Sequence, residues 1–97
     1  MGSKENHLYF LSAYHLIETC AAQERVHVNK HQHIRSELIK NKFIFKDDTE
    51  EIWKNFQKIE NQFRPNFVYG FSWTKTDMTN VEVCYKIIEK ICLKKLG

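Results

Sequence analysis

The residues with the most chemistry to offer in this sequence are Arg64, Asn66 and Tyr69, gathered in the stretch Asn61-Gln-Phe-Arg-Pro-Asn-Phe-Val-Tyr69. A guanidinium is permanently charged and shaped to hold a phosphate or a carboxylate through two parallel bonds. Asn66 adds a donor and an acceptor, and Tyr69 a hydroxyl on an aromatic ring. Pro65 removes a backbone donor and clashes with the preceding turn, so the chain kinks or stops here. A sequence that breaks its own pattern does so at strained or functional places. The plainer alternative is that Arg64-Pro65 ends a helix, with Arg64 paired to an acid such as Glu18 or Glu60.

Other residue groups offer less. His27, His31 and His33 are the tightest histidine cluster, and His27 and His31 have the spacing that shares a helical face. His27 falls before the helix, however, and no acidic or cysteine ligand sits nearby to complete the four that a closed zinc site needs. A polar helix start explains the cluster, and no metal or cofactor is called for. His15 lies inside an apolar helical pattern, where a single histidine is expected to be a core residue bonded to a neighbour. Cys20, Cys84 and Cys92 are odd in number, widely spaced and set in apolar patterns. Buried free thiols in a reducing cytosol fit them better than a disulfide framework. No glycine-rich phosphate loop or nucleophile elbow is present.

These residues need elements to position them. At 97 residues the chain is long enough for one core, and residues 1–97 read as a single domain. Three glycines and one proline leave room for few turns, which argues for a few long helices. The first helix is expected from about Glu5 to Gln23, with Met1–Lys4 outside the fold as a disordered or cloning-derived tail. Leu8, Leu11, His15 and Ala22 share one of its faces and Phe10, Tyr14, Ile17 and Ala21 another. A helix apolar on most sides is expected to be central.

After a connection at Glu24–Lys30, a second helix is expected over about Lys30–Lys42 with Ile34, Leu38 and Ile39 inward. Phe43-Ile-Phe45 is too short for a strand and is expected to pack a loop onto the core. Asp48 and Glu51 form a capping box for a third helix, in which Ile52, Phe56, Ile59 and Phe63 recur at helical spacing. The acids Asp47, Asp48, Glu50 and Glu51 also suit the positive end of its dipole. Thr79 and Glu82 form a second capping box, opening a last helix with Val81, Cys84, Ile88, Ile91 and Leu96 inward and Ile87 flanking. The expectation is an all-α, up-and-down bundle of four to five helices. The net charge of +3 permits contact with RNA without demanding it. Lys86, Lys90 and Lys94 fall on one face of the last helix, the usual pattern of a solvated surface. No segment has the length and apolar run of a membrane span.

The order of motifs resembles the HEPN superfamily, small helical domains that accompany minimal nucleotidyltransferases. Three features carry the resemblance. The first helix holds Ser12-Ala-Tyr14-His15-Leu-Ile-Glu18, the second opens with His31-Gln-His-Ile-Arg35 followed by Leu38, and the third ends in Arg64 with Tyr69 shortly after. It covers about residues 7 to 93. The resemblance implies a bundle that dimerises and a nucleotidyltransferase partner in a toxin-antitoxin or defence system. Catalytic members of the superfamily are metal-independent RNases with an arginine followed after four to six residues by a histidine. Arg64 matches that arginine, but Tyr69 stands where the histidine would be and no histidine follows. A phenol with a pKa of about 10 shuttles protons poorly at neutral pH.

The sequence thus leads to a cytoplasmic, homodimeric, non-catalytic or accessory HEPN-like domain. It would bind RNA, a nucleotide or a nucleotidyltransferase partner through Arg64, Asn66, Tyr69, His31, Arg35 and His15, with no membrane contact. Two alternatives stand beside it. One is a divergent metal-independent RNase in which Arg64 stabilises charge and His15, His31 or His33 supplies the base. The other is a small structural subunit of an RNA-protein assembly, with an exposed apolar patch around Phe71 and Trp73.

Overall fold

Two long helices, α1 (Gly2–Gln23) and α4 (Lys75–Leu96), pack along one another and hold two shorter ones, α2 (Ile34–Lys40) and α3 (Thr49–Asn61), against one side. Short 3-10 turns at His31–His33 and Lys46–Asp48 lead into α2 and α3. The computed structural model describes residues 2–61 and 75–97, with side chains at 8–61 and 79–97. The fold is all-α, and no strand occurs among the described residues. Arg64, Asn66 and Tyr69, the expected helix break at Pro65, the inward Phe63 and the aromatics Phe71 and Trp73 lie outside the described residues. No helix among the described residues is long and apolar enough to cross a membrane.

The core follows the helical periodicity. Ile52, Phe56 and Ile59 give α3 one buried stripe, and Val81, Cys84, Ile88 and Cys92 give α4 another. On α1 the buried set is Phe10, Ala13, Ile17, Cys20 and Ala21. Alanines at two of these positions let a neighbouring helix approach closely. Helix α1 is not central in the expected sense. Leu8 is 58 % exposed, and Leu11, His15 and Ala22 are exposed with it. A helix at the edge of a four-helix bundle has neighbours on one side only, so one of its two apolar faces is left to solvent.

The paths between helices alternate in direction. Tyr9 meets Tyr85, Cys20 meets Cys92 and Glu24 meets Lys95, so α1 and α4 run the same way. The segment after α1 turns back along it, because Tyr14 donates its hydroxyl to the Val28 carbonyl at 3.0 Å and Phe10 touches the His31 ring. Helix α2 then restarts near the N-terminal half of α1. Helix α3 runs antiparallel to α2, with His31 against Glu60 and Arg35 over Trp53.

The turn that sends the chain back is chemically specific. Val26 donates to the Ala21 carbonyl and Arg25 to that of Ala22, with Arg25 at φ 62°. This is a Schellman ending, which normally places glycine at the left-handed position. Val26 packs against the core beside it, the apolar contact that accompanies the motif.

Several expectations about helix starts and faces are corrected. Helix α1 begins at Gly2, ahead of the expected Glu5. Thr79 does not cap α4, since the helix already begins at Lys75 and Thr79 sits inside it. Asp48 lies in the 3-10 turn, and the start of α3 is tied instead by Thr49, whose buried hydroxyl donates to the Lys46 carbonyl at 2.7 Å. That bond closes a tight turn in which Lys46 has φ 53°. Helix α2 is shorter than expected and ends at Asn41, whose side chain donates to the Glu37 carbonyl at 2.8 Å. Ile39, expected inward, is 41 % exposed, because a helix of two turns buries only Ile34 and Leu38. Ile44 and Phe45 do pack down onto the core, while Phe43 points away.

Candidate functional site

The antiparallel packing of α2 on α3 leaves a cleft of about 550 Å³. Two expected site residues, His31 and Arg35, come from its α2 side, and Lys40 closes the end. From α3 come Trp53, Gln57 and Glu60. Spacings of four and three residues put these three side chains on one face of α3, next to its buried stripe. The floor is apolar, made by Ile34 and Phe56, and the exposed Ile39 forms part of the rim.

His31 is the most constrained polar side chain in the cleft. Its Nδ1 lies 2.7 Å from Glu60 Oε2. The Phe10 ring stands edge-on to it at 5.0 Å and 81°, and Tyr14 does the same at 6.3 Å and 86°. The Glu60 side chain is 16 % exposed and the His31 side chain 40 %, so the carboxylate is covered while the imidazole keeps one side open. An ionised carboxylate only accepts hydrogen bonds, so the proton of this pair sits on Nδ1. Tyr14 stays a neutral phenol well into alkaline solution: burial, then the Glu18 carboxylate, push its ionisation upward.

Arg35, one turn beyond His31, lies with its guanidinium carbon 4.7 Å from the centre of the Trp53 ring. The planar cation thus sits against the aromatic ring. Lys54 approaches the same ring at 6.0 Å while its ammonium pairs with Glu50 at 2.8 Å. Around Trp53 the unpaired charge of the rim among the described residues is therefore that of Arg35, since Lys54 is matched by Glu50, with Glu60 the acid inside the cleft. Such a surface can take a ligand that combines a planar ring with negative charge.

Of the other expected site residues, only His15 is among those described, and it lies elsewhere. His15 is not a core residue: its side chain is 67 % exposed and bonds Glu18 on the next turn at 3.2 Å. It does not line the cleft. Glu18 and Glu60, the acids expected for Arg64, are engaged by His15 and His31. His27 and His33 are exposed and do not gather with His31, and no group of metal-ligating side chains forms among the described residues. The three cysteines are buried and free. The Cys20 thiol points at the Cys92 carbonyl across the α1–α4 interface, at 3.6 Å. Burial raises the Cys84 thiol, and the hydrogen bond with Cys20 followed by burial raises that of Cys92, so neither is a ready thiolate.

Trp53 and Gln57 were not among the residues expected from the sequence. The signal for them was present, as a tryptophan and two polar residues on one face of the most regular amphipathic helix. Comparison with protein-family models, curated proteins and solved structures finds no match to the chain.

Proposed function

We propose that this chain is a non-catalytic binding module of the HEPN type that holds a nucleotide or single-stranded RNA in the α2–α3 cleft. The observation that carries the reading is Arg35 lying on Trp53 beside a carboxylate-held His31. Bases stack on tryptophan rings and on guanidinium planes, and arginine and lysine hold phosphate. His31 and Arg35 are also two of the residues on which the HEPN resemblance rests. That resemblance extends the reading to a cytoplasmic homodimer with a nucleotidyltransferase partner, in a toxin-antitoxin or defence setting. The same resemblance assigns Arg64, Asn66 and Tyr69 to the binding of that ligand or partner.

Fluorescence anisotropy of a labelled oligoribonucleotide tests it. Trp53→Ala should weaken binding by about 5- to 150-fold, the range that loss of one base–aromatic stack gives, with the helical circular dichroism unchanged. Absence of binding by the wild type at millimolar protein would overturn the reading.

One observation favours the divergent RNase as a second reading. A histidine whose Nδ1 is held by a carboxylate, with its other nitrogen open, is the arrangement of a general base. Cleavage of an RNA pool in chelator, lost in His31→Ala, would support that reading over simple binding.

A further inference from the structure

Resting on that binding reading, we infer that the cleft distinguishes RNA from DNA, with His31 Nε2 accepting a hydrogen bond from a ribose 2′-hydroxyl. The argument starts from the proton on Nδ1. Glu60 Oε2 at 2.7 Å accepts it, so in the neutral ring Nε2 carries a lone pair and no hydrogen. The Glu60 bond sets the orientation of the ring, with the Phe10 and Tyr14 rings packed near-perpendicular to it, so that Nε2 is the nitrogen turned away from Glu60. Nε2 has no partner among the described residues.

A ligand group that meets Nε2 must therefore be a donor. Phosphate oxygens and base carbonyls are acceptors and are excluded. Base N–H groups differ from one base to the next, whereas the 2′-hydroxyl is the donor common to every ribonucleotide. The spacing agrees with this. His31 and Arg35 are one helical turn apart, roughly 5–6 Å between their Cβ atoms. A base stacked against the Trp53–Arg35 pair would bring its own ribose back toward His31, while Lys40 at the end of the cleft suits the phosphate. Arg35 and Lys40 can only donate, Gln32, Ser36 and Gln57 can donate or accept and so fit either kind of ligand group, and Glu60 is already engaged by His31, which leaves His31 Nε2 as the cleft acceptor that admits a donor alone.

The test compares three probes of one sequence: a short oligoadenylate RNA, its DNA counterpart and its 2′-O-methyl form. Binding is read by anisotropy, at a pH above the ordinary histidine titration range. One neutral hydrogen bond predicts a preference of about three- to tenfold for RNA over DNA. The 2′-O-methyl RNA, which keeps an oxygen but lacks the donor, should bind like DNA. His31→Ala should remove the preference by weakening RNA more than DNA, and an unchanged helical circular dichroism shows that the variant is folded. Equal binding of RNA and DNA by the wild type would overturn the inference and leave the binding reading standing. So would 2′-O-methyl RNA binding as tightly as RNA, or His31→Ala weakening RNA and DNA alike. No binding of any probe would overturn both.

Discussion

Replacing Tyr14 with phenylalanine removes one oxygen atom from the pivot of the chain's return path. The ring keeps its place: its contacts with His31 at 6.3 Å and Phe56 at 6.5 Å are made by carbon atoms that phenylalanine retains. What is lost is the 3.0 Å bond to the Val28 carbonyl. Val28 is buried, and no backbone donor reaches that carbonyl among the described residues. A typical net hydrogen bond contributes about 0.5–1.5 kcal/mol, and leaving a buried acceptor unpaired costs about 1–3 kcal/mol. The bond is only partly buried, so water can replace some of it, which places the expected loss at about 1–2 kcal/mol. Urea unfolding followed by circular dichroism should show a midpoint lower by about 1 M with an unchanged slope, given a slope near the low end for small domains. Thermal unfolding should fall by roughly 4–8 °C for each kcal/mol. A midpoint shift within about 0.2 M would refute the claim that this hydroxyl anchors the segment leading to His31.

Arg25→Gly should stabilise the protein by about 0.5–1 kcal/mol, because φ 62° strains any side chain and glycine is the ordinary occupant of this helix ending; chemical denaturation checks it. Phe56→Ala should cost about 3–5 kcal/mol, since the ring is 1 % exposed, stacks on Phe10 at 5.5 Å and floors the cleft. A loss under about 1 kcal/mol by the same method would show that the core closes around the gap. Burial, then the Glu89 carboxylate, raise the Tyr85 ionisation in the folded state. A group raised on folding stabilises fully below its unfolded value, about 10, and loses that contribution as pH climbs through the folded value. Stability should therefore drop in strongly alkaline buffer and drop less in Tyr85→Phe, as measured by denaturation across that range. The thiols of Cys20, Cys84 and Cys92 should react with a thiol reagent only at the rate of unfolding, since all three are buried; a fast native-state phase would contradict their placement.

What could be read from the sequence was whatever one helix determines by itself. Ile52, Phe56 and Ile59 announce the buried stripe of α3, and Val81, Cys84 and Ile88 that of α4, because periodicity is a property of a single element. The all-α class followed from the same signal. Periodicity does not say which of two apolar faces receives a neighbour, and so Leu8 and His15 were placed on the wrong side of the boundary. Local cap chemistry was overruled at Thr79 by a helix that extends back to Lys75. The cleft was half legible. His31 and Arg35 stand out as a turn-spaced pair, but their partners Glu60 and Trp53 lie on another helix, with His31 and Glu60 29 positions apart. Only the packing of α2 on α3 brings them together.

The pairing of α1 with α4 also has a meaning in time. Cys20 and Cys92, which meet near the C-terminal end of this interface, are 72 positions apart. During synthesis at about 5–20 residues per second, α1 emerges several seconds before the helix that covers its apolar stripe. Through that interval Ile17, Cys20 and Ala21 have no α4 to pack against, and the local helix pairs cannot supply one. The most extensive helix pairing among the described residues therefore closes last, and the nascent chain carries an open apolar helix that a chaperone can hold until it does.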